Sequence, residues 1–133
     1  MLRTDARSQL ERIELGAEIV VTYVAVRRQL RRRDLPAAVA ALRASRCALF
    51  VVDRDPRRLA GAVQRVLARL PGDSRCLMRS LVVLAMLARR GIDARLILAA
   101  RPTPQFVAHA WVERHGAPLL PTRGFGDARL TEL

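Results

Sequence analysis

The chain has 133 residues, of which 51% are hydrophobic, and its formal net charge is +12. This length suits one domain with a modest core, and this apolar fraction excludes a disordered chain. All 24 basic residues are arginine, with no lysine or asparagine in the sequence. Such uniformity is typical of codon bias, so the charge alone is weak evidence for an anionic partner.

The N-terminal segment predicts the compartment. Residues 1–16 carry charges throughout and lack the apolar region of a signal peptide. The longest uninterrupted apolar run, Leu81 to Ala88, is too short to span a bilayer. We therefore expect a cytoplasmic protein in which Cys47 and Cys76 are both reduced. Cys47 lies within a run of alanine and leucine and is expected to be a small buried core residue.

Residues 1–72 are predicted to be helical. Apolar residues recur at three- and four-residue steps from about Asp5 to Arg33, which predicts one long helix with an apolar stripe. Arginines fill its last turns, where they complement the helix dipole, so a solvated helix end accounts for them. Pro36 then ends this helix. The apolar stripe contains Leu10, Ile13, Ala17, Val20, Val21 and Val24.

Two shorter helices follow. The first spans Pro36 to Cys47, where alanines give high helix propensity, and the run Ala48 to Val52 fits either more helix or a brief strand. The second has Asp53 or Asp55 as its N-cap and Pro56 at its first position. It ends at the Pro-Gly turn of residues 71–72. Its inward residues are Leu59, Val63, Val66, Leu67 and Leu70.

Residues 73–133 are predicted to form an α+β core within the same single domain, residues 1–133. A helix begins at Asp73 or Ser74 and ends at Gly91. It is apolar nearly all round, so we expect it to be the central, buried helix. Strands are predicted at residues 92–100, 107–114 and 117–121, the last two joined as a hairpin by His115 and Gly116. The tail, residues 123–133, has no clear pattern.

Two residues of this core have the arrangement of a nucleophile and its base. Cys76 lies in the first turn of the central helix, where unpaired N–H groups and the dipole favour a thiolate, and Arg75 and Arg79 add positive charge. The same N–H groups can bind an oxyanion. His109 lies on a strand some thirty residues later, the layout of papain-like and transglutaminase-like nucleophiles. Taken singly, each is better explained by a buried structural role, and only the two together favour an enzyme.

Strand alternation places His109, Trp111 and Glu113 on one face. Trp111 beside the imidazole can shield it from water, although a bulky core tryptophan explains it as well. A metal site is not expected, because His109, His115 and Cys76 lack ligand spacing.

The segments CLMRSLVVLAMLARRGIDARLIL and FVAHAWVERHGAPL closely resemble the leader peptidases of lasso-peptide biosynthesis, the B-type proteins with a transglutaminase-like core. The resemblance covers about Ser74 to Leu120. It implies a papain/transglutaminase-like core and a cysteine peptidase that removes the leader from a ribosomally made precursor peptide. It also implies two partners, a separately made leader-binding protein and an ATP-dependent lasso cyclase. The chemistry needs no cofactor.

The sequence departs from that family after His109. Its members typically have an aspartate about a dozen residues later, where this chain has Leu120-Pro121-Thr122. The hairpin register puts Thr122 opposite His109, whereas Asp127 in the tail offers the charge that stabilises imidazolium. We take Asp127 as the third catalytic residue and Thr122 as the alternative. Glu113 lies about 13 Å from His109 along the strand, too far to orient it.

Two other functions remain open. A non-catalytic binding module on the same fold is the main alternative, and the missing aspartate supports it. A nucleic-acid binder is the third, based on the arginine excess. It lacks interleaved aromatic residues, which make up 4% of the chain, and has no helix-turn-helix pattern.

Overall fold

The computed structural model describes residues 2–44, 55–70, 76–102 and 104–133. Cys47, the run 48–52 and the N-cap candidates Asp53, Asp73 and Ser74 lie outside these ranges. In chain order the described elements are α1 (Leu2–Arg32), α2 (Leu35–Ala44), α3 (Pro56–Arg69), α4 (Cys76–Arg89), β1 (Arg95–Arg101), β2 (Val107–Arg114), β3 (Ala117–Pro118) and β4 (Arg129–Glu132). The strands form one antiparallel sheet in the order β3-β2-β1-β4. The predicted α+β fold class is confirmed.

Local signals set the helix ends. The Asp55 side chain accepts a hydrogen bond from the Arg57 N–H at 3.1 Å, and Pro56 opens α3 as expected. Gly91, with φ of +72°, follows the end of α4 in the left-handed conformation that glycine adopts readily. None of the helices in the described ranges is long and apolar enough to cross a membrane.

Helix α4 is the centre of the molecule, as its composition predicted. It contacts α1, α2 and α3 as well as β1 and β2. A helix surrounded in this way has no solvent-facing side, which explains its nearly continuous apolar sequence. Its buried residues are Met78, Ser80, Leu81, Val82, Val83, Leu84, Ala85, Met86 and Leu87.

The apolar stripe of α1 faces away from this core. A surface helix ordinarily turns its apolar side inward, yet Leu10 is 59% exposed and Ile13 is 67% exposed. The rest of the stripe is exposed as well. The buried side of α1 instead contains Glu18, Ile19, Thr22, Tyr23 and Val26.

A buried ion pair explains this orientation. Glu18 accepts two hydrogen bonds from Arg90, at 2.8 and 2.7 Å, and the two side chains are 2% and 0% exposed. One turn along α1, Thr22 accepts a hydrogen bond from Arg89 at 2.7 Å. Buried charges need such partners, so the polar residues of α1 must lie against the last turn of α4.

The hairpin between β2 and β3 has the predicted register, Arg114 opposite Ala117. His115 and Gly116 have φ of 54° and 77°, the positive values that a two-residue type I′ turn requires. Strand β3 ends at Pro118, earlier than expected, although the next backbone N–H, that of Leu119, still donates to the Val112 carbonyl at 2.8 Å. The tail, which had no clear pattern, forms β4 against β1.

Candidate active site

Cys76 is the first residue of α4, and its free thiol is partly buried against β2. The backbone N–H of Ala110 donates a hydrogen bond to Sγ over 3.4 Å. Because Ala110 directly follows His109, the start of α4 meets the strand at the predicted histidine. Ser80 donates to the Cys76 carbonyl at 2.7 Å and ties down the first turn of the helix.

The imidazole of His109 is held through one nitrogen. Its Nε2 lies 2.7 Å from the carbonyl oxygen of Pro121. A carbonyl can only accept a hydrogen bond, so Nε2 must carry a proton. In the neutral ring this leaves the lone pair on Nδ1, and that nitrogen is the one able to accept a proton.

Two aromatic rings fix the plane of this imidazole. The Trp111 ring stacks on it with centroids 5.8 Å apart, and the Phe125 ring lies 5.5 Å away at a tilt of 40°. Arg101 holds the Phe125 loop, because it hydrogen-bonds the Gly124 carbonyl and lies 4.7 Å from the Phe125 centroid. His109 is consequently buried and can rotate little.

Glu113 binds the indole N–H of Trp111 and so helps to hold that ring in place. Its carboxylate accepts a hydrogen bond from the Trp111 indole N–H at 2.8 Å and another from Arg129 at 2.7 Å. The shared strand face gave a sequence signal for the pairing of Trp111 with Glu113. No signal pointed to Arg129, which β4 brings in from the tail.

The structure places the two predicted third residues near the same loop. Thr122 is half-buried, and Asp127 is exposed on the 3-10 turn Gly126–Ala128. Within the described ranges neither side chain hydrogen-bonds to His109; the Pro121 carbonyl does, twelve residues after the histidine. Sequence reasoning missed this acceptor because it considered side chains alone. The contribution of Asp127 stays a prediction.

Arg79, expected to add positive charge near Cys76, lies one turn further along α4 and is half-buried. Its Nε is buried and makes no hydrogen bond to the described residues. Arg75 lies outside those residues. Together, the thiol at a helix start and the imidazole oriented through Nε2 provide what acyl transfer needs, a nucleophile and a base.

A family model described as the Transglutaminase-like superfamily matches residues 19–129, a range that contains Cys76, His109 and Pro121. Searches of curated proteins and of solved structures gave no match.

Proposed function

The chain belongs to the transglutaminase-like superfamily, and on that basis we propose that it is a cysteine peptidase that removes the leader from a lasso-peptide precursor. The observation that carries this proposal is the joint placement of Cys76 and His109, with the Ala110 N–H directed at Sγ. The choice of a leader peptide as substrate rests on the resemblance of residues 74–120 to leader peptidases.

In this proposal Cys76 Sγ attacks the carbonyl carbon of the amide that joins leader to core, and Nδ1 of His109 takes the thiol proton. Unpaired N–H groups in the first turn of α4 bind the resulting oxyanion. The C–N bond breaks as the imidazolium returns its proton to the leaving amine of the core. Water then hydrolyses the leader thioester, with Nδ1 again as the base.

The Pro121 carbonyl has the orienting role in this scheme. It accepts the Nε2 hydrogen bond in both protonation states of the ring, so Nδ1 keeps its direction throughout the cycle. The proposed partners are a separate leader-binding protein, which presents the precursor, and the ATP-dependent cyclase, which uses the freed core. In this division of roles, the chain itself supplies the nucleophile and the base, and its partners supply leader binding and cyclisation.

Mass spectrometry of a candidate precursor peptide, incubated with the chain and its leader-binding partner, tests the proposal. Cys76→Ala should remove cleavage, a loss of about 10⁴-fold or more, because the nucleophile is deleted with little change in volume. The matched control is Cys47→Ala, which should retain activity. Turnover by a folded Cys76→Ala protein would refute a cysteine peptidase, and loss in Cys47→Ala without unfolding would mean that the wrong thiol was assigned.

A non-catalytic binding module is the second candidate, and the carbonyl in place of a carboxylate favours it. Alkylation by iodoacetamide separates the two. At neutral pH a catalytic Cys76 should be alkylated faster than a small free thiol, and His109→Ala should remove this difference. A binding module should react like the small thiol in both forms.

A further inference from the structure

The outward side of α1 carries an apolar surface that the described part of the chain leaves uncovered. Leu10 and Ile13 are 59% and 67% exposed, and the valines 20, 21 and 24 are 40%, 54% and 50% exposed. These residues lie on the side of the helix opposite Ile19, Tyr23 and Val26, which are buried. Each side of α1 therefore has an apolar row, and only one row contacts the core.

The spacing of the outward row is that of a coiled-coil seam. Ala6 extends the stripe by one turn, and with Val21 set aside at its edge the successive residues are four, three, four, three and four apart. A seam of this kind accepts a second helix at a shallow angle, with side chains packed as knobs into holes. If only one side of a helix packs against the protein, its other side does not require apolar residues at this four-three spacing. The members are Ala6, Leu10, Ile13, Ala17, Val20 and Val24.

The first half of α1 has local contacts only, such as the exposed Arg7–Glu11 ion pair at 3.5 Å, and buries no side chain against the described part of the chain. Every residue from Thr4 to Glu14 is exposed. An unsupported helix of this length is marginal in water, since nucleation is costly and packing normally repays it. This half also precedes the region shared with the family, which begins at Ile19. A partner seated on the stripe would supply the missing contacts.

The positive charges beside the stripe indicate that the partner carries negative charge. A shallow concavity at its C-terminal end is lined by Val20, Val21 and Val24 together with Arg28 and Arg32. Five exposed arginines follow one another there, at positions 27, 28, 31, 32 and 33. We propose that this surface binds an amphipathic helix of another protein, one whose apolar heptad is flanked by aspartate or glutamate. The proposal is independent of the peptidase activity.

A second copy of the chain fits this surface less well. It would bring a further +12 charge and its own arginine cluster. An antiparallel copy with the stripes overlapped would place Arg7 against Arg28, and a parallel copy would align the two arginine clusters. Neither orientation pairs opposite charges along the seam.

An anionic membrane fits less well too. Interfacial helices carry lysine and arginine along their polar face and have aromatic anchors on their apolar face. Here Glu14 flanks the first half of the stripe, and the stripe contains no aromatic residue.

Isothermal titration calorimetry with a synthetic helix tests the proposal. The probe is a peptide of about three heptads with leucine at the seam and glutamate at the flanking positions. We expect binding to the full chain, and binding at least about tenfold weaker for a scrambled peptide of the same composition and for a version with lysine in place of glutamate. The scrambled peptide has the same charge, so it separates docking from simple attraction to a basic protein.

Variants locate the binding. Ile13→Gln and Arg28→Glu should each weaken it by about tenfold, whereas Arg57→Glu, an exposed arginine on α3, should leave it unchanged. Equal binding of the acidic and scrambled peptides, or no binding, would overturn the proposal. So would light scattering that shows a dimer abolished by Ile13→Gln, or stripe-dependent cosedimentation with phosphatidylserine vesicles, because the occupant would then be a second copy or a membrane.

Discussion

The hydrogen bond between His109 and the Pro121 carbonyl defines the chemistry available at the level of single residues. A carbonyl dipole orients the imidazole and fixes its tautomer as a carboxylate would, but it carries no full charge to stabilise imidazolium. In a comparable triad, removal of the carboxylate costs about 10⁴-fold in rate. The proposed peptidase therefore depends more on the rings of Trp111 and Phe125, which hold the imidazole in place.

Substitution of the two predicted third residues tests the role of this carbonyl. Asp127→Asn and Thr122→Val should each change kcat/KM by less than about tenfold, or about 1.4 kcal/mol in the barrier. The reason is that the backbone acceptor survives both changes. Steady-state cleavage of the precursor, with His109→Ala as the inactive reference, provides the measurement. A loss near 10⁴-fold in Asp127→Asn alone would give Asp127 the carboxylate role that the sequence favours.

At the scale of elements, the ion pair between α1 and α4 should dominate the stability of the helical half. Glu18→Gln removes the buried carboxylate that pairs with Arg90 and lies 3.9 Å from Arg89, so we expect the free energy of unfolding to fall by about 3 kcal/mol or more. Urea denaturation followed by circular dichroism measures it. Glu14→Gln, an exposed position on the same helix, is the control and should stay within about 0.5 kcal/mol of the native chain.

If the pair matters through burial of charge, the double change Glu18→Leu with Arg90→Met should recover much of the loss, since it removes both charges together. A double variant as unstable as Glu18→Gln would point instead to the packing of these side chains.

The same elements show which parts of the fold are predictable. Helix α4 and the turn at His115 and Gly116 follow from local patterns, since composition and turn chemistry determine them. The orientation of α1 does not, because two apolar rows compete and the contact that decides between them is nonlocal: Glu18 and Arg90 are 72 residues apart in the sequence. Strand β4 is equally nonlocal, since its exposed sequence is ordered by pairing with β1. At the site, Cys76 and His109 carry motifs, whereas the acceptor at Pro121 is a main-chain atom that no side-chain pattern reports.

For the whole molecule, the arrangement around α4 bears on how a precursor is recognised. All three other described helices pack on α4, and the strands form the sheet that carries His109. No separate unit of leader-binding size stands apart among the described residues. The molecule is thus built around the proposed catalytic centre.

We accordingly expect slow or undetectable cleavage by the chain alone, and an increase of at least about tenfold when the leader-binding protein is added. Time courses by mass spectrometry, with a precursor that lacks the leader as the control, would measure it. Comparable rates with and without the partner would contradict this division of roles.

The stacking of Trp111 on His109 has an optical consequence. Trp111 is the single tryptophan of the chain, so all indole fluorescence comes from the ring beside the proposed base. Emission should therefore respond to changes at this imidazole, so His109→Gln should alter the spectrum and His115→Gln should leave it unchanged. The molecule contains its own spectroscopic reporter of the ring that the proposed reaction uses.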